Sequence, residues 1–145
     1  MNRRSSPRCL GAAVALLVLS AAPAQAATNT WSGGGDRTNW SDSANWSQAQ
    51  VPQPNDDVII SNAYANVRVL LTNPTPVLGS FAITNATLVF SNWVTALTAS
   101  NVAILSGGAV TNVLCDTNAA AGNSNRVWII CTNLTVASNG AINVN

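Results

Sequence analysis

The chain has 145 residues, 48% of them apolar and only 8% charged, with six basic residues, five acidic ones and no histidine. Charge this sparse and balanced gives no electrostatic footprint for nucleic acid or an anionic membrane. The composition also excludes a Ser-His-Asp triad, a Cys-His pair and a His-rich metal site. No Cys-x-x-Cys or phosphate-binding loop takes their place, so no catalytic, cofactor-binding or metal-binding residue is expected.

In chain order the first element is an export signal over residues 1–26. Arg3, Arg4 and Arg8 form a positive start, Leu10 to Leu19 an apolar run, and Pro23 breaks it ahead of Ala24-Gln25-Ala26, a small-x-small cleavage site. The apolar run is far shorter than the roughly 20 residues a membrane span needs. Cleavage after Ala26 leaves 119 residues, enough for one domain. In that part Arg37, Arg68 and Arg126 face Asp36, Asp42, Asp56, Asp57 and Asp116, two negative charges in excess, with no Lys or Glu. Asn, Thr, Ser, Ala and Val dominate, a composition that favours strands and turns over helices.

Residues 27–57 read as an N-terminal cap rich in Trp, Gly and Asn. Asn-Trp-Ser occurs twice, at 39–41 and 45–47, and Gly33 to Gly35 demand turns. Trp31, Trp40 and Trp46 admit two roles. Exposed, they would stack on sugar rings while Asn39, Asp42 and Asn45 bond the hydroxyls. Buried, they would cover the open core of the first repeat, where a stacked fold needs a special terminal unit. Val51 to Asp57 is a loop, because Pro52 and Pro54 cannot donate to a ladder. Asp56 and Asp57 could pair as catalytic or calcium-binding carboxylates, but neighbours on a strand point to opposite faces, so a turn before a strand fits better. Val58 to Ile60 and Asn66 to Leu71 are predicted strands, and Thr72 to Pro76 a turn.

From residue 58 to 145 the chain reads as stacked β-repeats. Three segments superimpose, 81–90, 102–111 and 134–143, each with two apolar runs parted by small or turn-forming residues. Ile83, Ile104 and Val136 coincide, as do Asn85, Ser106 and Ser138, then Leu88, Ala109 and Ala141, then Val89, Val110 and Ile142. The first offset is 21 residues and the second 32, the extra 11 matching a polar insert from Asp116 to Arg126. A period of roughly 20–25 residues built of short strands and tight turns predicts an all-β solenoid, a parallel β-helix with a Trp-rich cap. A sandwich of antiparallel hairpins would give the same period. Asn85, Asn112 and Asn133 are candidates for amide ladders between levels about 4.8 Å apart. Val127 to Ile130 is a continuous apolar run, predicting cover on both faces. The pattern stops at Asn145 with no capping element, which predicts a longer chain.

Cys115 and Cys131 remain after processing. In an oxidising compartment they could form a disulfide closing a loop of about 15 residues, with roughly 3 kcal/mol of stabilisation; alternatively they are two buried thiols ending apolar runs. Asp116 and Arg126, which bracket the insert, read as a solvated loop rather than the acidic and basic machinery of a polysaccharide lyase.

The opening Trp31, Gly33, Gly34, Trp40, Asn45, Trp46, Pro52 and Asp56 to Ile60, together with Asn133 to Ile142, resembles the start of bacterial autotransporter-type passengers that carry autotransporter-associated β-strand repeats. The resemblance covers nearly all of the chain after the signal and implies a right-handed parallel β-helix at the bacterial outer-membrane surface. The expected role is structural or adhesive and non-catalytic. Expected partners are a surface polysaccharide or host matrix ligand and the rest of a longer chain that attaches to the outer membrane. The alternative is the non-catalytic front of a secreted β-helical carbohydrate-active enzyme, or a carbohydrate-binding module. The cysteine pair and the insert depart from the repeat pattern.

Overall fold

The structure, a computed structural model, describes residues 26–61, 64–114 and 125–144; the export signal therefore lies outside the described residues. Nine strands form: β1 (Thr28–Thr30), β2 (Asp57–Ile60), β3 (Val67–Leu71), β4 (Leu78–Ile83), β5 (Ala86–Phe90), β6 (Leu97–Ile104), β7 (Ala109–Asn112), β8 (Ile129–Val136) and β9 (Ala141–Asn143). One 3-10 turn, Ser43–Asn45, is the sole helical element among the described residues.

All strand pairs are parallel. They build two sheets, β1-β2-β4-β6-β8 and β3-β5-β7-β9. From β2 onward the chain alternates between the sheets and advances one strand at each return. Antiparallel hairpins are therefore excluded as the origin of the repeat.

The register explains why the sequence repeats. Val58, Phe81, Val102 and Leu134 lie level across β2, β4, β6 and β8, as do Ile60, Ile83, Ile104 and Val136. In the second sheet Val69, Leu88, Val110 and Ile142 line up across β3, β5, β7 and β9. Stacked positions meet the same surroundings, so each column keeps one chemistry. Side chains from both sheets join a single core with the three cap tryptophans, and each fully buried aliphatic or aromatic residue contributes about 1.5–3 kcal/mol. Outside the core a polar column runs through Asp57, Ser80, Asn101 and Asn133. There Ser80 Oγ donates to Asp57 Oδ1 at 2.6 Å, and Asn133 Nδ2 donates to Asn101 Oδ1 at 2.8 Å.

Three expectations are corrected. The offsets of 21 and 32 hold for the first apolar run, but the second run slips by one: Leu88 is level with Val110, and Thr87 with Ala109 and then Ala141. Between level positions the passage from β6 to β7, Ile104 to Val110, is one residue longer than that from β4 to β5, Ile83 to Leu88. Of the amide candidates Asn133 ladders, with Asn101 rather than with another of the three. Asn112 is buried with its Nδ2 donating to Val113 O, and Asn85 takes a left-handed turn conformation (φ 47°) beneath Gly107 (φ 69°). A Cβ on Gly107 would strike the Asn85 carboxamide, so both space and φ select glycine there. Lastly, Val127–Ile130 is covered on one face only. Val127 and Ile129 pack against the core while Trp128 and Ile130 are exposed, because nothing described lies over the outward face of β8.

Candidate functional site

The cap is a hydrogen-bonded knot around Asn45. Its Oδ1 accepts from Gly35 N and Arg37 N, and its Nδ2 donates to Asp36 Oδ1 and Asn39 O, at 2.9–3.1 Å. These four bonds use the whole capacity of a carboxamide whose residue is fully buried. Asp36 Oδ1 also accepts from Thr38 N and Asn39 N, and its Oδ2 from Asn39 Nδ2. These donors, Asn39 N–H first, then Thr38 N–H and the Asn39 and Asn45 amides, hold the Asp36 carboxyl well below the usual carboxylate range although it is exposed to solvent. Asp42 caps the 3-10 turn, its Oδ1 accepting from Ala44 N and its Oδ2 from Asp36 N.

This knot carries the tryptophans inward. Trp31, Trp40 and Trp46 are 1%, 5% and 2% exposed. Trp46 packs edge-on against Trp31 (5.1 Å between centroids) and Trp40 (4.7 Å), and Trp40 lies against Phe81 at 6.4 Å. Trp46 Nε1 donates to Trp40 O at 2.8 Å, and Trp31 Nε1 to Tyr64 Oη at 3.4 Å. Stacking on a sugar requires an open ring face, and these rings have none. Of the two roles weighed for them, burial fits the cap: they cover the core, and the alternative carbohydrate contact finds no open ring face. Of the side chains that the sugar alternative would have turned to hydroxyls, Asp42 and Asn45 hold the cap's backbone and Asn39 donates to the Asp36 carboxylate.

Asp56 and Asp57 diverge. Asp56 Oδ2 accepts from Gln53 N at 2.7 Å and closes the turn from Gln53 to Asp56, while Asp57 faces outward to Ser80. Cys131 is half-buried against the core; Cys115 and Asp116 lie outside the described residues, and with them the disulfide and one end of the bracketed insert.

The other end, Arg126, belongs to a cluster that sequence reasoning missed. Its guanidinium lies between two exposed indoles, 4.1 Å from the Trp93 centroid and 3.8 Å from that of Trp128. Its Nε donates to Trp93 O at 2.9 Å. Trp128 is fixed in turn by its carbonyl, which accepts from Leu97 N at 2.9 Å. No carboxylate is paired with Arg126 among the described residues. Trp93 is 52% exposed and Trp128 40%. Asn92 fixes the Trp93 loop: its Oδ1 accepts from Val94 N and from Thr95 N and Oγ1, and its Nδ2 donates to Thr72 O. The register supplies the signal that was missed. Leu97 is level with Ile129, so the residues leading into β6 and β8 sit side by side although 32 positions apart.

An all-β chain of two parallel sheets, closed at one end by a tryptophan cluster, is the class that these observations define. Residues 45–113 match the model of the G8 domain, a domain of extracellular type. The match runs from Asn45 and Trp46 through β7 and leaves out Trp31, Trp40, Arg126, Trp128 and the last two strands. No curated protein and no solved structure matches the chain.

Proposed function

We propose that the chain is a structural or adhesive, non-catalytic segment of an exported bacterial cell-surface protein, its two sheets winding as a right-handed parallel β-helix. The observation that carries this reading is the register. Level by level the same apolar positions recur through both sheets, giving a rigid stack whose outer face is free to carry side chains. The extracellular type of the matched domain and the signal-like first 26 residues agree with export. After that leader the chain has no His, Lys or Glu to serve as an ordinary general base.

The test is to express the whole chain with its leader in a Gram-negative host. The exported protein should begin at Ala27 and release no product from a panel of polysaccharides. Retention in the cytoplasm with the leader intact would overturn the surface reading, and steady release of reducing or unsaturated ends would overturn the non-catalytic one. The second reading, a carbohydrate-binding module, is favoured by one observation, the pair of exposed tryptophans on either side of Arg126.

A further inference from the structure

We propose that Trp93, Arg126 and Trp128 form a binding site for an acidic saccharide, a sugar ring bearing a carboxylate. This gives the adhesive reading a ligand class and rests on that reading only for its extracellular setting. The site itself is argued from three features. First, the guanidinium lies over two indoles and is anchored through Nε to Trp93 O. With Nε committed, the four Nη hydrogens are the donors left for a ligand, and that edge of a guanidinium matches a carboxylate bidentately. Second, none of the acidic side chains among the described residues pairs with it, so none of those competes with an incoming carboxylate. Third, each indole gives one face to the guanidinium and remains 40–52% exposed, leaving apolar ring surface beside the cation. A sugar offers both parts at once: C–H faces for the indoles and a ring carboxylate for the guanidinium.

Pre-organisation strengthens the case. The Trp93 loop is pinned by Asn92, and Trp128 by its bond to Leu97, so binding does not have to order the aromatic pair. Arg126 and Trp128 lie outside the region that matches the G8 domain, so the match does not assign this site.

The experiment is affinity electrophoresis of the full chain in native gels containing polygalacturonate, with dextran as the neutral control. Retardation by polygalacturonate and not by dextran is expected. Arg126→Gln and Trp128→Ala should each weaken it roughly ten-fold or more, with melting temperatures close to that of the parent because both side chains lie at the surface. Arg126→Lys, which keeps the charge but loses the planar fork, should restore only part of the affinity. Absence of retardation by polygalacturonate would overturn the site, as would retardation that Arg126→Gln leaves unchanged. Equal retardation by dextran would remove the acidic ligand class while leaving adhesion standing, and cytoplasmic retention of the chain would overturn the adhesive reading without touching the site.

Discussion

The two ends of the stack carry equivalent residues in opposite states. At the N-terminal end Trp31, Trp40 and Trp46 fold over Val58, Ile60 and Phe81, and every one of these side chains is buried. At the other end Leu134, Val136 and Ile142 are 48%, 45% and 39% exposed, although they lie level with the buried Val102, Ile104 and Val110. The difference is not in the side chains. In a stack each level is buried by the next, so burial belongs to the neighbour, and a terminal level needs a cover made of something else. The cap supplies that cover with aromatic mass, which the knot around Asn45 holds in place.

Truncation is the most direct way to break the comparison. Trp46→Ala removes a buried indole, its edge contacts to Trp31 and Trp40 and its bond to Trp40 O. It should cost about 3–5 kcal/mol in urea unfolding, since the cavity has no neighbour free to collapse into it. Asn45→Ala should follow at on the order of 2–3 kcal/mol, because it strands the Gly35 and Arg37 N–H groups without an acceptor. Leu134→Ala, at the uncovered end, removes half-exposed surface and leaves no cavity, so its loss should be about 1 kcal/mol or less. Equal losses from Trp46→Ala and Leu134→Ala would mean that the two ends are buried alike in solution and would end the distinction.

How much of this could be read beforehand follows from the same logic. The parallel stack and the 21- and 32-residue offsets were legible because stacked columns repeat their chemistry: Ile83, Ile104 and Val136 declare one another. The slip in the second run was not, because Leu88, Val89 and Phe90 are all buried, and a continuous apolar run does not fix its own register. The tryptophans were legible as an N-terminal cap, with a sugar platform as the alternative. Composition cannot tell whether a polar segment folds its aromatics inward; here the full hydrogen bonding of Asn45 turns them in. The grouping of Trp93 with Arg126 and Trp128 escaped notice because the insert between β7 and β8 hides the register that brings them together. Their signal was present only in the alignment of Leu97 with Ile129.

A smaller effect sharpens the contrast by pH. Among the described residues from Val127 to Val144 the only ionisable side chain is Cys131, whereas the cap holds Asp36 and Asp42 beside Arg37, whose guanidinium lies over Tyr64 at 5.5 Å. The ionisation of Asp36 is coupled to folding, because Asn39, Thr38 and Asn45 donate to its charged form. Its folded value lies below the ordinary 3.8 of an unfolded aspartate, so the unfolded chain binds the proton first as acid is added. The stabilisation is thus complete above about pH 4 and drains away as the pH falls from 3.8 toward the folded value. Acid should therefore loosen the N-terminal end ahead of the far one. Trp fluorescence should report solvent reaching the buried indoles, while amide exchange in β8 and β9 holds its neutral-pH pattern. Asp36→Asn should flatten this acid dependence, at the expense of a lower plateau at neutral pH. A fluorescence transition that Asp36→Asn leaves at the same pH would place the acid-sensitive contact outside the Asn45 knot, and the cap would then owe its hold to packing alone.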